Sequence, residues 1–203
     1  MKQLKDICEG VFDVDDNIEN IDQSIKEDIA KFIEQTYANT AGGKVKYDIS
    51  KEPNKDGKYE VEIWNSVYVR DCSITSLTNG RFVFTTCYGT FDCSECDIES
   101  LEGCPQWVKN FLCSGCNFIK NLKGGPQTVR GGYTCDSCNT LKNLEGSPRE
   151  VINFTCSECS ILSDLKGAPK IVKGDFLAKD CGGKFIANDV AKVSKVHGNI
   201  LVK

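Results

Sequence analysis

The stretch Phe91-Asp92-Cys93-Ser94-Glu95-Cys96 decides the fold, because its aromatic-x-Cys-x-x-Cys pattern returns at a short and nearly constant period. Three further copies follow it, Phe111–Cys116, Tyr133–Cys138 and Phe154–Cys159. The second cysteines of successive copies lie 20, 22 and 21 residues apart. Self-similarity at such a period is typical of a solenoid in which every turn of the chain is one repeat.

A second signal follows each copy in the form Leu-x-Gly-x-Pro, with a Val three residues after the Pro. The Gly-Pro segments are Leu101–Pro105, Leu122–Pro126, Leu144–Pro148 and Leu165–Pro169, and the valines are Val108, Val129, Val151 and Val172. Weaker copies flank the four strong ones at Val67–Ile74, Phe176–Cys181 and Val196–Lys203. The sequence therefore predicts about seven turns.

The chemistry of one repeat explains why the turns must stack. The aromatic residue and the first Cys are two positions apart, so on a short strand they point to the same side. One turn cannot bury that side alone, whereas stacked turns bury it continuously. Gly and Pro then return the chain for the next strand.

The repeat is similar to the leucine-rich-repeat pattern, Leu-x-x-Leu-x-Leu-x-x-(Asn or Cys)-x-Leu, and resembles the short bacterial and phage type most. This resemblance implies a β-rich solenoid of the α+β kind, a right-handed leucine-rich-repeat solenoid of about seven short parallel strands. It covers residues 64–203, and residues 1–63 are expected to form an N-terminal cap. The sequence departs from the family in having Cys where Leu is usual, which affects core packing.

The predicted cap combines a helix and a β-hairpin. A helical stripe is formed by Ile18, Ile21, Ile25, Ile29, Phe32 and Ile33. Ser24–Glu27 fits a capping box or lies within the helix, which should end near residues 41–43. Strands are predicted at 44–50 and 58–64 around the turn signal 53–57, and a closing segment at 184–203. The helix stripe is expected to contact the first turn, with docking of a partner as the alternative.

Composition excludes several function classes. The net charge is -4, with four Lys and ten Asp or Glu in residues 1–40, so an overall nucleic-acid footprint is absent. No apolar run approaches the roughly 18 residues that span a bilayer. The first residues do not resemble a signal peptide, so we expect a cytoplasmic protein, in which thiols stay reduced.

The 13 cysteines allow three interpretations. Paired C-x-x-C motifs at this spacing are typical of zinc sites, but here the repeat period itself imposes the spacing. The first-Cys position is Val69, Ala178 and Val202 in the outer repeats, and none of these can bind a metal. We therefore favour packing in a small apolar slot, with no metal and no cofactor; zinc binding and redox or disulfide chemistry remain alternatives.

Catalytic motifs are missing from the sequence. The only histidine is His197, for which the repeat offers no Cys or Ser partner nearby. The Gly-Gly pairs fit turns and match no phosphate-binding or dinucleotide motif. We expect the protein not to be an enzyme.

A partner is expected on the concave face of the strands, which is what the leucine-rich-repeat resemblance implies. The residues between the two inward positions should face it, and Trp107 is added because exposed Trp is enriched at binding hot spots. The candidate residues are Tyr68, Arg70, Asp92, Trp107, Leu112, Thr134, Thr155 and Leu177. The face is expected to be flat, small and mildly acidic, which disfavours phosphate backbone and favours a protein surface or a peptide.

The opening segment, residues 4–19, resembles small leucine-rich proteins of tailed phages. That resemblance implies a phage-encoded inhibitor that binds a bacterial protein in the host cytoplasm, as an anti-defence or anti-CRISPR factor. Two alternatives stay open. One is a zinc- or thiol-based structural scaffold. The other is an inhibitor of an RNA or ribonucleoprotein that uses the convex lysines Lys120, Lys123, Lys142 and Lys166.

Overall fold

The structure, a computed structural model, describes residues 14–38, 43–69 and 73–203, with side chains from residue 21 onward. Its helices are α1 (Val14–Thr36) and α2 (Ala187–Val193). Its first strands are β1 (Tyr37–Ala38), β2 (Tyr47–Ile49), β3 (Tyr59–Ile63), β4 (Val67–Val69), β5 (Phe82–Asp92), β6 (Trp107–Leu112) and β7 (Thr128–Val129). The later strands are β8 (Gly132–Thr134), β9 (Glu150–Val151), β10 (Asn153–Thr155), β11 (Ile171–Val172), β12 (Phe176–Leu177), β13 (Lys195–Val196) and β14 (Ile200–Leu201).

The fold is a β-solenoid with parallel strands, as the repeat predicts. Its first ladder runs in the order β4, β5, β6, β8, β10, β12 and β14, every neighbouring pair being parallel. Seven strands in line are joined by about six turns. Aromatic residues oppose aromatic residues along most of the ladder: Phe91 pairs with Phe111, Phe111 with Tyr133, and Tyr133 with Phe154.

A second ladder stands beside the first in two parts. In the first part β3, the start of β5, the start of β6 and β7 pair in that order, and in the second part β9, β11 and β13 form a separate three-stranded parallel sheet. Val108 and Phe111 in β6 are both fully buried, although they are three residues apart. Side chains alternate along a straight strand, so β6 must bend between these two residues. Outward side chains before the bend and after it therefore belong to different faces of the solenoid.

An aromatic column fills the interior of the first ladder. Rings of adjacent turns have centroids between 5.0 and 6.1 Å apart from Phe91 through Phe176. Such separations suit offset or tilted aromatic pairs. The four strong repeats and their neighbours thus share one continuous core.

The return of the chain depends on left-handed residues at fixed repeat positions. The Gly of each Leu-x-Gly-x-Pro segment has positive φ, from 84° at Gly124 to 102° at Gly146. A second left-handed position precedes the second Cys and is occupied by Gly115 in one repeat and by non-glycine residues such as Glu95, Ser137 and Glu158 in others. The first position confirms the predicted turns, and the second directs the following Cys into the core.

The N-terminal cap covers the first turn. Ile29 and Ile33 of α1 are fully buried, which confirms the predicted core contact, whereas Ile21 is 61% exposed. The predicted helix end near residues 41–43 is wrong, because α1 ends at Thr36. Tyr37 and Ala38 instead form β1, which pairs antiparallel with β4 and covers the open edge of the ladder.

Two further predictions about the ends can be compared with the structure. The hairpin is confirmed as β2 and β3, and β3 also extends the second ladder by pairing with β5. Ser24 lies inside α1 and not at its start. The closing segment contains α2, which the sequence analysis did not predict; the Asp189 carboxylate accepts a hydrogen bond from the Ile186 N–H, at 3.2 Å, at its start.

Tyr133 is the one phenol among the rings of the aromatic column, and its hydroxyl is buried without a hydrogen-bond partner among the described residues. We expect Tyr133→Phe to raise the free energy of unfolding by about 1 kcal/mol, because it removes this unsatisfied group. Urea unfolding followed by circular dichroism measures the change.

The matched control is Phe111→Tyr, which adds a hydroxyl to the same column. Gly125 leaves room for the Tyr133 hydroxyl, since a Cβ there would lie 3.3 Å from it. The equivalent residue before Phe111 is the larger Cys104. Phe111→Tyr should therefore lower stability, and a lower stability of Tyr133→Phe would contradict the assignment.

Gly146 tests the stacking of the turns. Its φ is 102°, and a Cβ there would lie 2.3 Å from the backbone of Leu122 in the preceding turn. Gly80 has a φ of 83° and open space around it, so it isolates the conformational cost. We expect Gly80→Ala to cost about 1–2 kcal/mol. Gly146→Ala should cost about 1–3 kcal/mol more, because the backbones of two turns must separate; equal shifts of the melting temperature would contradict this.

Candidate partner-binding surface

The central column is the line of outward residues between the aromatic position and the first Cys of each turn. Its members are Tyr68, Asp92, Leu112, Thr134, Thr155, Leu177 and Leu201. They stand directly opposite one another in the register, as Asp92 does to Leu112 and Leu112 to Thr134. All are half-buried except the exposed Leu201. The structure thus brings six of the eight predicted site residues into one line.

Polar side chains at the edge of the central column bind the backbone of the adjacent turns. The Asp136 carboxylate accepts hydrogen bonds from the Ser157 N–H at 2.7 Å and from the Thr155 hydroxyl at 3.1 Å. Ser94 and Ser157 accept in the same way from the N–H groups of Ser114 and Lys179. Burial raises the pKa of the Asp136 carboxyl, and these hydrogen bonds oppose the rise. These hydrogen bonds hold the polar edge of the central column rigid. The apolar side chains of the column make no such bonds and can contact a partner.

The central column does not account for the other two predicted site residues. Arg70 is outside the described residues. Trp107 begins β6, before the bend, and therefore belongs to the second ladder and not to the face of Leu112. It is half-buried and contacts residues of both neighbouring turns: its ring centroid lies 5.6 Å from that of Tyr88 and 6.0 Å from the Arg130 guanidinium. Sequence reasoning placed Trp107 correctly at the surface but grouped it with the wrong strand face.

Trp107 is part of an aromatic cluster that also contains Trp64 and Tyr88. The rings of Trp64 and Tyr88 are stacked, with centroids 4.8 Å apart and planes 6° from parallel. The Trp64 Nε1 donates a hydrogen bond to the Asp48 carboxylate at 3.0 Å. The sequence analysis missed Trp64 and Tyr88. The available signal was their position, since each directly follows an inward residue, Ile63 or Cys87.

The thiols form a second repeating arrangement, which runs across turns. Four of the second-Cys thiols donate to the carbonyl oxygen of the first Cys of the preceding turn, with Sγ–O distances of 3.0 to 3.3 Å. The pairs are Cys116 with Cys93, Cys138 with Cys113, Cys159 with Cys135, and Cys181 with Cys156. The second Cys of a C-x-x-C motif therefore bonds to the preceding turn, and the carbonyl of the first Cys accepts a bond from the following turn.

This arrangement bears on the metal and redox alternatives. The 11 cysteines in the described part of the chain are all buried, and no disulfide joins any two of them. Within those residues, no group of three or more His, Cys, Asp or Glu side chains is arranged to hold a metal ion. Burial raises the pKa of Cys87 to about 11 and also raises that of Cys135, so the thiolate form of these two cysteines, which metal binding needs, is disfavoured.

The convex lysines are partly engaged in ion pairs. Lys123 and Lys166 both contact the Glu145 carboxylate, at 3.0 and 2.5 Å, and the two ammonium groups lower the pKa of Glu145. The alternating charges of adjacent turns therefore pair on the surface. Lys120 and Lys142 are exposed on the same side.

Comparison with known proteins identified no relative of this chain. No protein-family model matches it, and no curated protein or solved structure matches it at a significant level. In the described ranges no helix is sufficiently long and apolar to cross a membrane.

The thiol arrangement predicts low reactivity in the folded protein. A thiol with a pKa of about 11, as for Cys87, is ionised in about one molecule in a thousand near pH 8. We expect the 11 buried cysteines to resist iodoacetamide natively and to react fully in urea, as peptide mass spectrometry would show. Cys181 should react first, because a hydrogen bond from the Cys156 thiol lowers its pKa and its exposed fraction of 6% is the highest of the 11. Rapid native labelling of Cys113 or Cys135 would contradict the assignment.

Proposed function

We propose that this chain is a non-enzymatic protein-binding module of the leucine-rich-repeat type. The observation that carries the proposal is the central column, in which Tyr68, Leu112 and Leu177 are outward and half-buried on a rigid strand ladder. A flat, preorganised surface loses little conformational entropy when a partner binds. Side chains in register across seven strands offer a continuous contact area.

The chemistry of the column favours a protein over a charged polymer. Apart from Asp92, its members carry no charge, and the adjacent carboxylate of Asp136 already binds the backbone. Phosphate backbone requires positive side chains, which the column lacks. Apolar and aromatic residues with a polar edge are the usual anatomy of protein interfaces.

The proposal also includes the kind of partner, which is a bacterial host protein. The resemblance of residues 4–19 and of the repeats to small phage leucine-rich proteins supports a phage-encoded inhibitor. In this proposal it binds a bacterial host protein in the host cytoplasm and blocks a defence system, for example a CRISPR nuclease. The partner would lie along the first ladder.

Leu112→Arg is the substitution that tests the surface. It places a large cation in the middle of the central column while the neighbouring Asp92 offsets the new charge within the fold. We expect a bacterial protein captured by the unsubstituted chain to be lost, with an affinity reduced by about 30-fold, as for a hot-spot residue. Capture from lysate, followed by titration of the isolated complex, measures the loss.

Ile161→Arg is the matched control, since Ile161 is 43% exposed and lies outside both ladders. It should leave capture unchanged. Circular dichroism of both variants checks that the solenoid is folded. Equal capture by the Leu112 and Ile161 variants would remove the central column from the proposal.

A further inference from the structure

The second ladder presents an exposed surface whose chemistry differs from that of the central column. We define the outer column as the residue that follows the inward side chain of each second-ladder position from β3 to β11. Its members are Trp64, Tyr88, Lys109, Arg130, Ile152 and Lys173, all of them exposed. Trp107 lies beside this column, and the aromatic cluster forms its N-terminal end.

The aromatic cluster is organised without being buried. Trp64 and Tyr88 are 47% and 45% exposed, yet they stack on each other, and Asp48 fixes the indole of Trp64. Large rings held in place before binding lose little entropy when a partner covers them. Trp, Tyr and Arg are also the residues most enriched at binding hot spots, and Arg130 lies over Trp107.

Beyond the cluster, the face is basic. Lys109, Arg130 and Lys173 lie in the outer column, and the exposed Lys195 stands in register with Ile171 and Glu150 on the same side of the strands. Glu150 is the only carboxylate at an outward position of β6, β7, β9, β11 and β13, and it is paired with Lys173. A local excess of positive charge therefore exists on a chain whose net charge is -4.

The charge changes sign along the face. At the aromatic end, Asp48 and Glu60 are exposed and Glu62 is half-buried. A uniformly negative polymer such as a nucleic acid would meet these carboxylates at the position where its bases could stack. A short peptide segment with an apolar side chain near one end and carboxylates toward the other would match both the aromatic end and the basic end of the outer column.

We infer that the outer column binds an extended, acidic segment of a partner protein, with an aromatic or apolar side chain against Trp64 and Tyr88. Five strand spacings of about 4.8 Å give the column a length of about 24 Å, which fits roughly seven extended residues. Carboxylates of the segment would lie along Arg130 and Lys173. The inference rests on the proposed function as a protein-binding module and assigns that function a second surface.

The experiment uses the full chain and a random copolymer of glutamate and tyrosine as the probe. We expect binding that weakens as the salt concentration rises, since the cations of the face are exposed. Tyr88→Ala and Arg130→Glu should each weaken binding by about tenfold or more, as hot-spot residues do. Polyglutamate, which lacks aromatic side chains, should bind less tightly than the copolymer.

Matched controls lie on another side of the solenoid. Phe118 is 52% exposed and Lys120 is exposed, and neither belongs to a ladder. Phe118→Ala and Lys120→Glu should leave copolymer binding unchanged. Equal losses from the control variants, or no copolymer binding at low salt, would overturn the inference.

Two other occupants are distinguished by the same experiment. Tighter binding of an oligothymidylate than of the copolymer would assign the face to nucleic acid and overturn the inference. Self-association in sedimentation that Arg130→Glu abolishes would assign it to a second copy, whose acidic helix α1 would be the ligand, and would overturn it as well. In either case the proposed function of the central column is untouched.

The two proposals fail separately. If Leu112→Arg abolishes capture of a host protein while Tyr88→Ala and Arg130→Glu leave both capture and copolymer binding unchanged, the outer column is excluded and the proposed function stands. If the copolymer binds as expected while Leu112→Arg leaves capture unchanged, the central column is excluded and the outer column stands.

Discussion

The structure depends on one constraint, that from Phe91 to Phe176 every turn must place its inward ring directly against the ring of the preceding turn. No single turn encloses a core, so Phe91, Phe111, Tyr133, Phe154 and Phe176 bury one another only because the strands remain in register. A strand slipped by one residue would turn its whole inward set toward solvent. The left-handed Gly of each return segment follows from this constraint, because it fixes where the next strand begins.

The cysteines satisfy the same constraint at the corner of each turn. A corner buries carbonyl groups that a regular strand would pair, and a buried carbonyl without a donor is costly. A thiol is small enough for the slot and reaches the carbonyl of the turn before it, as Cys138 does with Cys113 at 3.1 Å. The first-Cys position tolerates Ala178 because it mainly fills space. The C-x-x-C spacing thus reflects the shape of the corner, although zinc sites share it.

The sequence predicted the features that recur in every repeat. It did not predict the features that depend on contacts between distant segments of the chain. The strands, the Gly turns and the line of Leu112 and Thr134 follow from periodicity, because each repeat reports the same environment. The end of α1 was wrong because pairing of Tyr37 with Val69 outweighs local helix signals. The repeat could not predict the arrangement of the aromatic cluster either, since Trp64 directly follows strand β3 of the cap and reaches Tyr88 only when β3 pairs with β5.

A register fixed by the core also arranges the surface. Once inward residues stand opposite one another, outward residues of successive turns must line up as well, at strand spacings of about 4.8 Å. Similar residues at one outward position of successive repeats then form a continuous stripe of one chemical character on the surface. Because β6 bends between Val108 and Phe111, the chain carries two independent stripes. One begins at Tyr68 and carries no charge apart from that of Asp92. The other is aromatic at Trp64 and basic at Lys173. The solenoid can therefore alter either stripe without altering the aromatic column that supports both.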